Sequence, residues 1–206
     1  MVISAIATMP PYATYIDEVL RHPIVSGIRL NTVMPTTESI DDVLRRLHEK
    51  AEGSGKNLWI DLKCRQLRVQ GYWVPPYTEV LLSHRITVPT PVTAYFSDGN
   101  EPARVLAVDG NRLIMQDGPR RVVGPGEAVN IPHPALSIEG YFTDTDRRYM
   151  DAGITVGVGN YMLSFVEGAS DVNAFKEICP DAKAVAKIES QKGLQYVRDA
   201  WNGKHG

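Results

Sequence analysis

Apolar positions in the first sixty residues follow two different periods. Short runs at Ile3 to Thr8, Ile24 to Asn31 and Leu58 to Leu62 read as buried strands, whereas Ile40, Val43, Leu44 and Leu47 recur at spacings of three and four within Thr37 to Glu52. The second spacing lays one apolar stripe along a helix that can pack on a sheet. With another helical segment at Tyr15 to Arg21, strands and helices alternate, which predicts βαβ units and a parallel sheet. From about Gln66 to His133 the texture becomes β-branched runs punctuated by Asp98-Gly99, Asp109-Gly110 and Asp117-Gly118, the signals of hairpins. This stretch reads as an all-β module inserted after the third strand. The βα texture then resumes with a helix at Thr143 to Gly153, where Asp144 and Asp146 suit the positive end of a helix dipole. An apolar run at Gly159 to Val166, a helix at Asp171 to Ile178, a strand at Ala184 to Glu189 and a helix at Gly193 to Trp201 follow. The expectation is therefore an α/β chain of five parallel strands in residues 1–65 and 134–206, interrupted by a β module at 66–133, with residues 202–206 as a frayed end or a cut.

Composition narrows the function classes. A chain of 206 residues with 43% hydrophobic content can bury a core without disulfides. Cys64 and Cys179 sit in no CxxC or Cys/His pattern, so nothing points to zinc or redox chemistry, and reduced thiols are expected. The 22 basic and 24 acidic residues nearly balance, which argues against a nucleic-acid or membrane-surface partner. The amino terminus lacks the charged and apolar regions of a secretory signal, and the longest uncharged run, Ala152 to Val166, falls short of the roughly 20 apolar residues of a membrane span. A cytoplasmic protein is expected. The five histidines, His22, His48, His84, His133 and His205, read as surface residues.

The candidate chemistry lies where the strands end. Lys187 and Glu189 are two residues apart in a strand and so share a face, giving a cation and a carboxylate that can meet a phosphate and a divalent metal. An ion pair on a solvated strand end is the plain alternative. The pattern recurs, however: the second strand ends in Arg29 and Asn31, the third in Asp61 and Lys63, and the run Tyr161 to Leu163 leads into Ser164. In a barrel of parallel strands such carboxyl-end residues converge on one site. Arg29, Asp61, Lys187 and Glu189 carry most weight, because charges among apolar neighbours cost several kcal/mol unless paired or bound to a ligand. A purely structural ion network of these four is the competing reading. Ser164 as a satisfied core hydroxyl and Asp98 as turn chemistry have similar structural readings.

At these residues the chain resembles the pyruvate kinase family. Ser26-Gly27-Ile28-Arg29-Leu30-Asn31 is similar to the family's second-strand motif, and Ile60-Asp61-Leu62-Lys63 with Arg68 to its third. Leu163-Ser164-Phe165-Val166 with Asp171-Val172, and Ala186-Lys187-Ile188-Glu189 with Gln191 and Gly193, are similar to the fourth and fifth. Shorter echoes occur at Ala7-Thr8-Met9-Pro10, Ser97-Asp98-Gly99, Val129-Asn130-Ile131-Pro132 and Thr143 with Asp146, in the family's order. The resemblance implies a partial TIM-type (β/α) barrel with an inserted all-β lid domain, and transfer of a phosphoryl group between phosphoenolpyruvate and ADP, giving pyruvate and ATP. By match, Arg29 and Lys187 would contact the phosphoryl group and developing enolate, with Lys63 and Arg68 as further substrate contacts. Glu189 would hold Mg2+ or Mn2+. Asn31, Asp61 and Ser164 would hold K+, and Asp98 would lie over the nucleotide.

The departures are as specific as the matches. Val33 stands where the family's turn offers a hydroxyl for potassium, Cys64 stands at the glycine after the third-strand lysine, and Glu167 stands at an arginine. The strand that would carry a second metal carboxylate is not in the sequence. Two classes are therefore expected: a pyruvate kinase-like phosphotransferase that is incomplete or inactive as this chain alone, or a degenerate paralogue that binds a phosphate ligand or a partner. A βα-barrel aldolase or lyase acting on a phosphoenolpyruvate-like substrate is a third. Five strands leave two open sheet edges, so either self-association or a carboxyl-terminal part absent from this sequence is expected to complete the barrel.

Overall fold

The computed structural model describes residues 3–201; the tail at 202–206, with His205, lies outside the described residues. Strand β1 (Ala5–Met9), helix α1 (Ile16–Arg21), β2 (Val25–Asn31), α2 (Ile40–Gly53) and β3 (Asn57–Leu62) open the chain. Seven short strands follow: β4 (Val69–Gln70), β5 (Glu79–Leu82), β6 (Ile86–Thr87), β7 (Val92–Phe96), β8 (Glu101–Asp109), β9 (Arg112–Met115) and β10 (Ser137–Ile138). The chain then returns to βα alternation through α3 (Asp144–Val156), β11 (Asn160–Leu163), α4 (Ala169–Ile178), β12 (Lys183–Ala186) and α5 (Gln191–Asp199). These elements form two compact units, one of residues up to Cys64 together with those from Asp144 onward, the other of Arg65–Thr143.

The first unit is built on a five-stranded parallel sheet in the order β1-β2-β3-β11-β12. One face carries Met9, Ile28, Leu30, Leu58, Ile60, Leu62, Tyr161 and Leu163, all buried, and α2 brings Val43, Leu44, Leu47 and Ala51 to this core. Helix α2 starts at Ile40, three residues later than the apolar pattern suggests, because the Ser39 hydroxyl accepts the Asp42 N–H at 3.1 Å and so fixes the first turn. Ser190 does the same for α5, accepting the Gly193 N–H at 3.0 Å, so that helix begins at Gln191. Strand β12 ends at Ala186, leaving Lys187 and Glu189 just beyond it. Helix α3 reaches the sheet through Gly153, where a Cβ would collide with the Tyr161 hydroxyl and meet Ile60 at 3.1 Å.

The second unit holds a five-stranded antiparallel sheet, β4-β5-β9-β8-β7, and the pair β6-β10. Its core is a separate cluster that includes Val80, Leu82, Phe96, Val105 and Leu113. Asp109-Gly110 closes the β8–β9 hairpin with Gly110 at φ 62°, and Asp98-Gly99 lies in the 3-10 turn between β7 and β8. Asp117-Gly118 is not a hairpin: it follows β9, and the Asp117 carboxylate accepts the Arg104 N–H at 2.5 Å. His84 departs from the surface reading as well, being buried with its Nδ1 2.9 Å from the Ser83 hydroxyl.

The close seat of Gly153 gives a direct test. Gly153→Ala should destabilise the protein by about 1–3 kcal/mol in urea titration, the cost of overpacking a tight contact, and pairing it with Tyr161→Phe, which removes the colliding hydroxyl, should recover most of the loss. Unchanged stability in the single variant would show that α3 is not held against β11 as described.

Candidate functional site

The carboxyl ends of β2, β3 and β12 meet around one carboxylate. Asn31 and Asp61 are partners in the β2–β3 register, Asp61 and Met162 in the β3–β11 register, and Met162 and Val185 in the β11–β12 register. Paired residues of a parallel sheet share a face, so Arg29 and Asp61 point to the side opposite the helix-covered core. Asp61 has no exposed surface, and three cations lie within ion-pair distance of it. Arg29 donates to its Oδ2 through Nε at 3.0 Å and also through Nη2, Lys63 Nζ lies 2.6 Å from the same oxygen, and Lys187 Nζ lies 2.8 Å from Oδ1.

The three cations differ in what they can still reach. Side-chain exposure rises from 6% for Lys63 through 21% for Lys187 to 30% for Arg29, so Lys63 is committed to Asp61 while Arg29 and Lys187 keep open faces. Burial alone would push the Asp61 carboxyl up, but the ammonium groups of Lys63 and Lys187 outweigh it and hold the carboxyl below the usual carboxylate range. Glu189 is the second acid: its Oε1 lies 3.7 Å from Lys187 Nζ and its Oε2 accepts the Phe165 N–H at 3.2 Å.

Main-chain contacts fix the loops beneath this cluster. The buried Asp146 carboxylate, from the first turn of α3, accepts the N–H groups of Lys63 at 2.8 Å and Cys64 at 3.0 Å. Cys64 sits at φ 47°, the left-handed region that favours glycine. The Thr32 hydroxyl donates to the Asp61 carbonyl at 2.9 Å, the Ser164 hydroxyl donates to the Leu62 carbonyl at 2.6 Å, and Arg29 Nη1 reaches the Thr8 hydroxyl at 3.3 Å. Thr8, Thr32 and Asp146 gave no strong signal of these contacts in the sequence. Asp146 was legible as a helix-start residue, but its bond partners lie 82 and 83 positions away.

The structure thus brings Arg29, Asp61, Lys63, Lys187 and Glu189 together, with Asn31 and Ser164 beside them. Arg68 and Asp98 belong to the antiparallel unit. There Arg68 donates to the Gly126 carbonyl at 2.9 Å and to the Gln66 side chain, and Asp98 is exposed at φ 52°. The residues that the resemblance gives to K+, Asn31, Asp61 and Ser164, lie at this site with contacts of their own. Both Asp61 oxygens face cationic side chains, Ser164 is bonded to Leu62, and the Asn31 Oδ1 accepts the Val33 N–H at 3.3 Å. Among the described residues no three His, Cys, Asp or Glu side chains form a metal-binding group.

Because Asp61 titrates below its ordinary value when folded, the folded state binds its proton less readily than the unfolded chain does. Its contribution is therefore complete at neutral pH and is lost as pH falls below about 4, through the folded value. Asp61→Ala, which leaves three cations facing one another, should cost about 3–5 kcal/mol at pH 7 in denaturant titration. That difference from the parent protein should shrink toward pH 3. A difference independent of pH would contradict the ionic role of Asp61.

No protein-family model matches the chain. Over 115 residues it is 29% identical to the pyruvate kinase of Thermoplasma acidophilum, covering 53% of this chain and 20% of that protein. Over 103 residues it is 30% identical to the pyruvate kinase of Agrobacterium vitis, covering 50% of this chain and 21% of the relative. A pyruvate kinase of Borreliella burgdorferi is 25% identical over 124 residues, 58% of this chain and 26% of its own length. The chain thus spans about a fifth to a quarter of the curated relatives it matches. Together with motifs that follow one another in the family's order, these matches relate the chain to the pyruvate kinase family.

Proposed function

We propose that the parallel-sheet unit is part of a TIM-type barrel, with residues 1–65 and 134–206 as its barrel domain and 66–133 as an inserted lid domain, and that its strand-end site serves a pyruvate kinase-like phosphotransferase acting between phosphoenolpyruvate and ADP. The observation that carries this reading is the cluster of Arg29, Lys63 and Lys187 around one buried carboxylate. With Asp61 and Glu189 included, three cations face two anions, which leaves a net charge of +1 in the ionised site. That excess sits at the two most exposed cations, where an anionic phosphoryl group would be held.

Phosphoryl transfer depends on positioning and on neutralising charge. Arg29 offers its guanidinium edge to phosphoryl oxygens, and Lys187 offers an ammonium to the same group or to an enolate oxygen. Lys63 and Asp61 hold these two in place, and Asp146 holds the turn that carries Lys63. Glu189 would hold a divalent ion, whose charge would offset that of the transferred group. The roles that the resemblance gives Arg68 and Asp98 belong to the same reading, as does completion of the sheet by self-association or by a carboxyl-terminal part. No helix among the described residues is long and apolar enough to cross a membrane, which fits a cytoplasmic setting for such chemistry.

A second reading, a phosphate-ligand binding or interaction protein, is favoured by one observation: among the described residues no three His, Cys, Asp or Glu side chains are grouped to hold a metal. On either reading, this chain alone should show weak or undetectable turnover in a coupled pyruvate-formation assay with magnesium and potassium. Calorimetric titration should still detect binding of phosphoenolpyruvate or inorganic phosphate, weakened at least tenfold, about 1.4 kcal/mol, in Lys187→Met. That variant leaves Asp61 paired with Arg29 and Lys63, so its fold should persist. Absence of anion binding in the parent protein would overturn both readings, and substantial turnover lost in Lys187→Met would favour the enzyme.

A further inference from the structure

The loop that carries Lys187 and Glu189 runs beyond the strand that leads into it. Strand β12 ends at Ala186, and main-chain bonding to the neighbouring β11 segment continues as far as Lys187, whose N–H donates to the Leu163 carbonyl at 2.8 Å and whose carbonyl accepts the Val166 N–H at 3.1 Å. Side chains then continue the tie between residues 187–190 and the loop after β11. Glu189 Oε2 accepts the Phe165 N–H at 3.2 Å, and the Ser190 hydroxyl donates to Glu167 Oε1 at 2.7 Å. The first of these bonds uses the carboxylate that a divalent ion or ligand would draw on. The second leaves that carboxylate free to act, and a hydroxyl donating to a carboxylate is among the stronger kinds of hydrogen bond.

We propose that Glu167 is a positioning residue of the site: by holding Ser190 it keeps Lys187 and Glu189 in place while the Glu189 carboxylate is engaged by a ligand. Glu167 is itself anchored, since its N–H donates at 2.8 Å to a carboxylate oxygen of Asp171, a buried residue in the first turn of α4. Ser190 is anchored on its other side as the cap of α5, where it accepts the Gly193 N–H at 3.0 Å. Gly193 brings the two loops together: a Cβ there would stand 2.5 Å from the Val166 carbonyl oxygen, so the first turn of α5 lies directly against the loop after β11. A chain of bonds thus runs from α4 through Glu167 and Ser190 to α5, and Glu189 immediately precedes the serine in its middle. Glu167 stands where the resemblance places an arginine, and a guanidinium has no acceptor for the Ser190 hydroxyl, so this bond comes with the glutamate. The role rests on the phosphate-site reading above for its ligand, but the lock itself is tested without one.

Amide hydrogen exchange of the full chain, followed by NMR, reads the lock directly, because the buried Val166 donates its N–H to the Lys187 carbonyl and exchanges when the two loops part. In Glu167→Ala that amide should exchange at least about tenfold faster than in the parent protein, while the amides of β3 keep their rates. Glu167→Gln, which retains an oxygen for the Ser190 hydroxyl, should stay within about twofold of the parent. Titration with inorganic phosphate gives the second arm: Glu167→Ala should weaken binding about three- to tenfold although Glu167 touches none of the three cations around Asp61, and Glu167→Gln should restore it. Unchanged Val166 exchange in Glu167→Ala, equal acceleration in Glu167→Gln, or equal acceleration throughout β3 would overturn the proposal, as would phosphate affinity that Glu167→Ala leaves unaltered. A parent protein that binds no phosphate, with Val166 still released selectively in Glu167→Ala, would support the lock and sink the phosphate-site reading.

Discussion

The arrangement at the carboxyl ends of the strands depends on a carboxylate taken wholly out of water. Asp61 has no exposed surface, and an isolated charge there would be prohibitive, so its two oxygens must be matched by cations. Arg29 from β2, Lys63 from the end of β3 and Lys187 from the end of β12 supply them. Three strands separated in sequence are thereby tied at one point. The same compensation leaves the surface positively charged, because three cations are gathered by one buried acid while the second acid, Glu189, stays at the rim.

Rigidity of the cluster comes from the main chain beneath it. Asp146 grips the turn after Lys63 through two consecutive N–H groups, Thr32 and Ser164 anchor to carbonyls of β3, and Glu189 reaches the Phe165 N–H. Cys64 and Phe165 both have positive φ, so the loops after β3 and β11 are turned sharply at the site. Cys64 thus carries a side chain in a conformation that ordinarily favours glycine. These bonds fix the loops that carry Lys63 and Glu189.

The same bonds limit the chemistry. Asn31 and Ser164 make internal bonds, and both Asp61 oxygens face neighbouring cations. The site gathers three cations around one buried carboxylate, with a second carboxylate at its rim.

The sequence by itself determined the alternation of strands and helices, the apolar stripe of α2 and the strand-end location of Arg29, Asp61, Lys187 and Glu189, because each follows from short-range periodicity and the alternation of faces along a strand. The helix starts of α2 and α5 were set by their serine caps, which the apolar pattern alone does not display. Asp117-Gly118 carried a hairpin signal, yet the Asp117 carboxylate is engaged by the Arg104 N–H, and His84 looked like a surface residue until sheet packing buried it. What only the tertiary structure decided is which charges face one another: that Asp61 takes three cations, that Asp146 bonds to a turn more than eighty residues away, and that Lys63 is spent on the interior while Lys187 remains open. Such pairings depend on sheet register and strand order, and neither leaves a trace in local spacing.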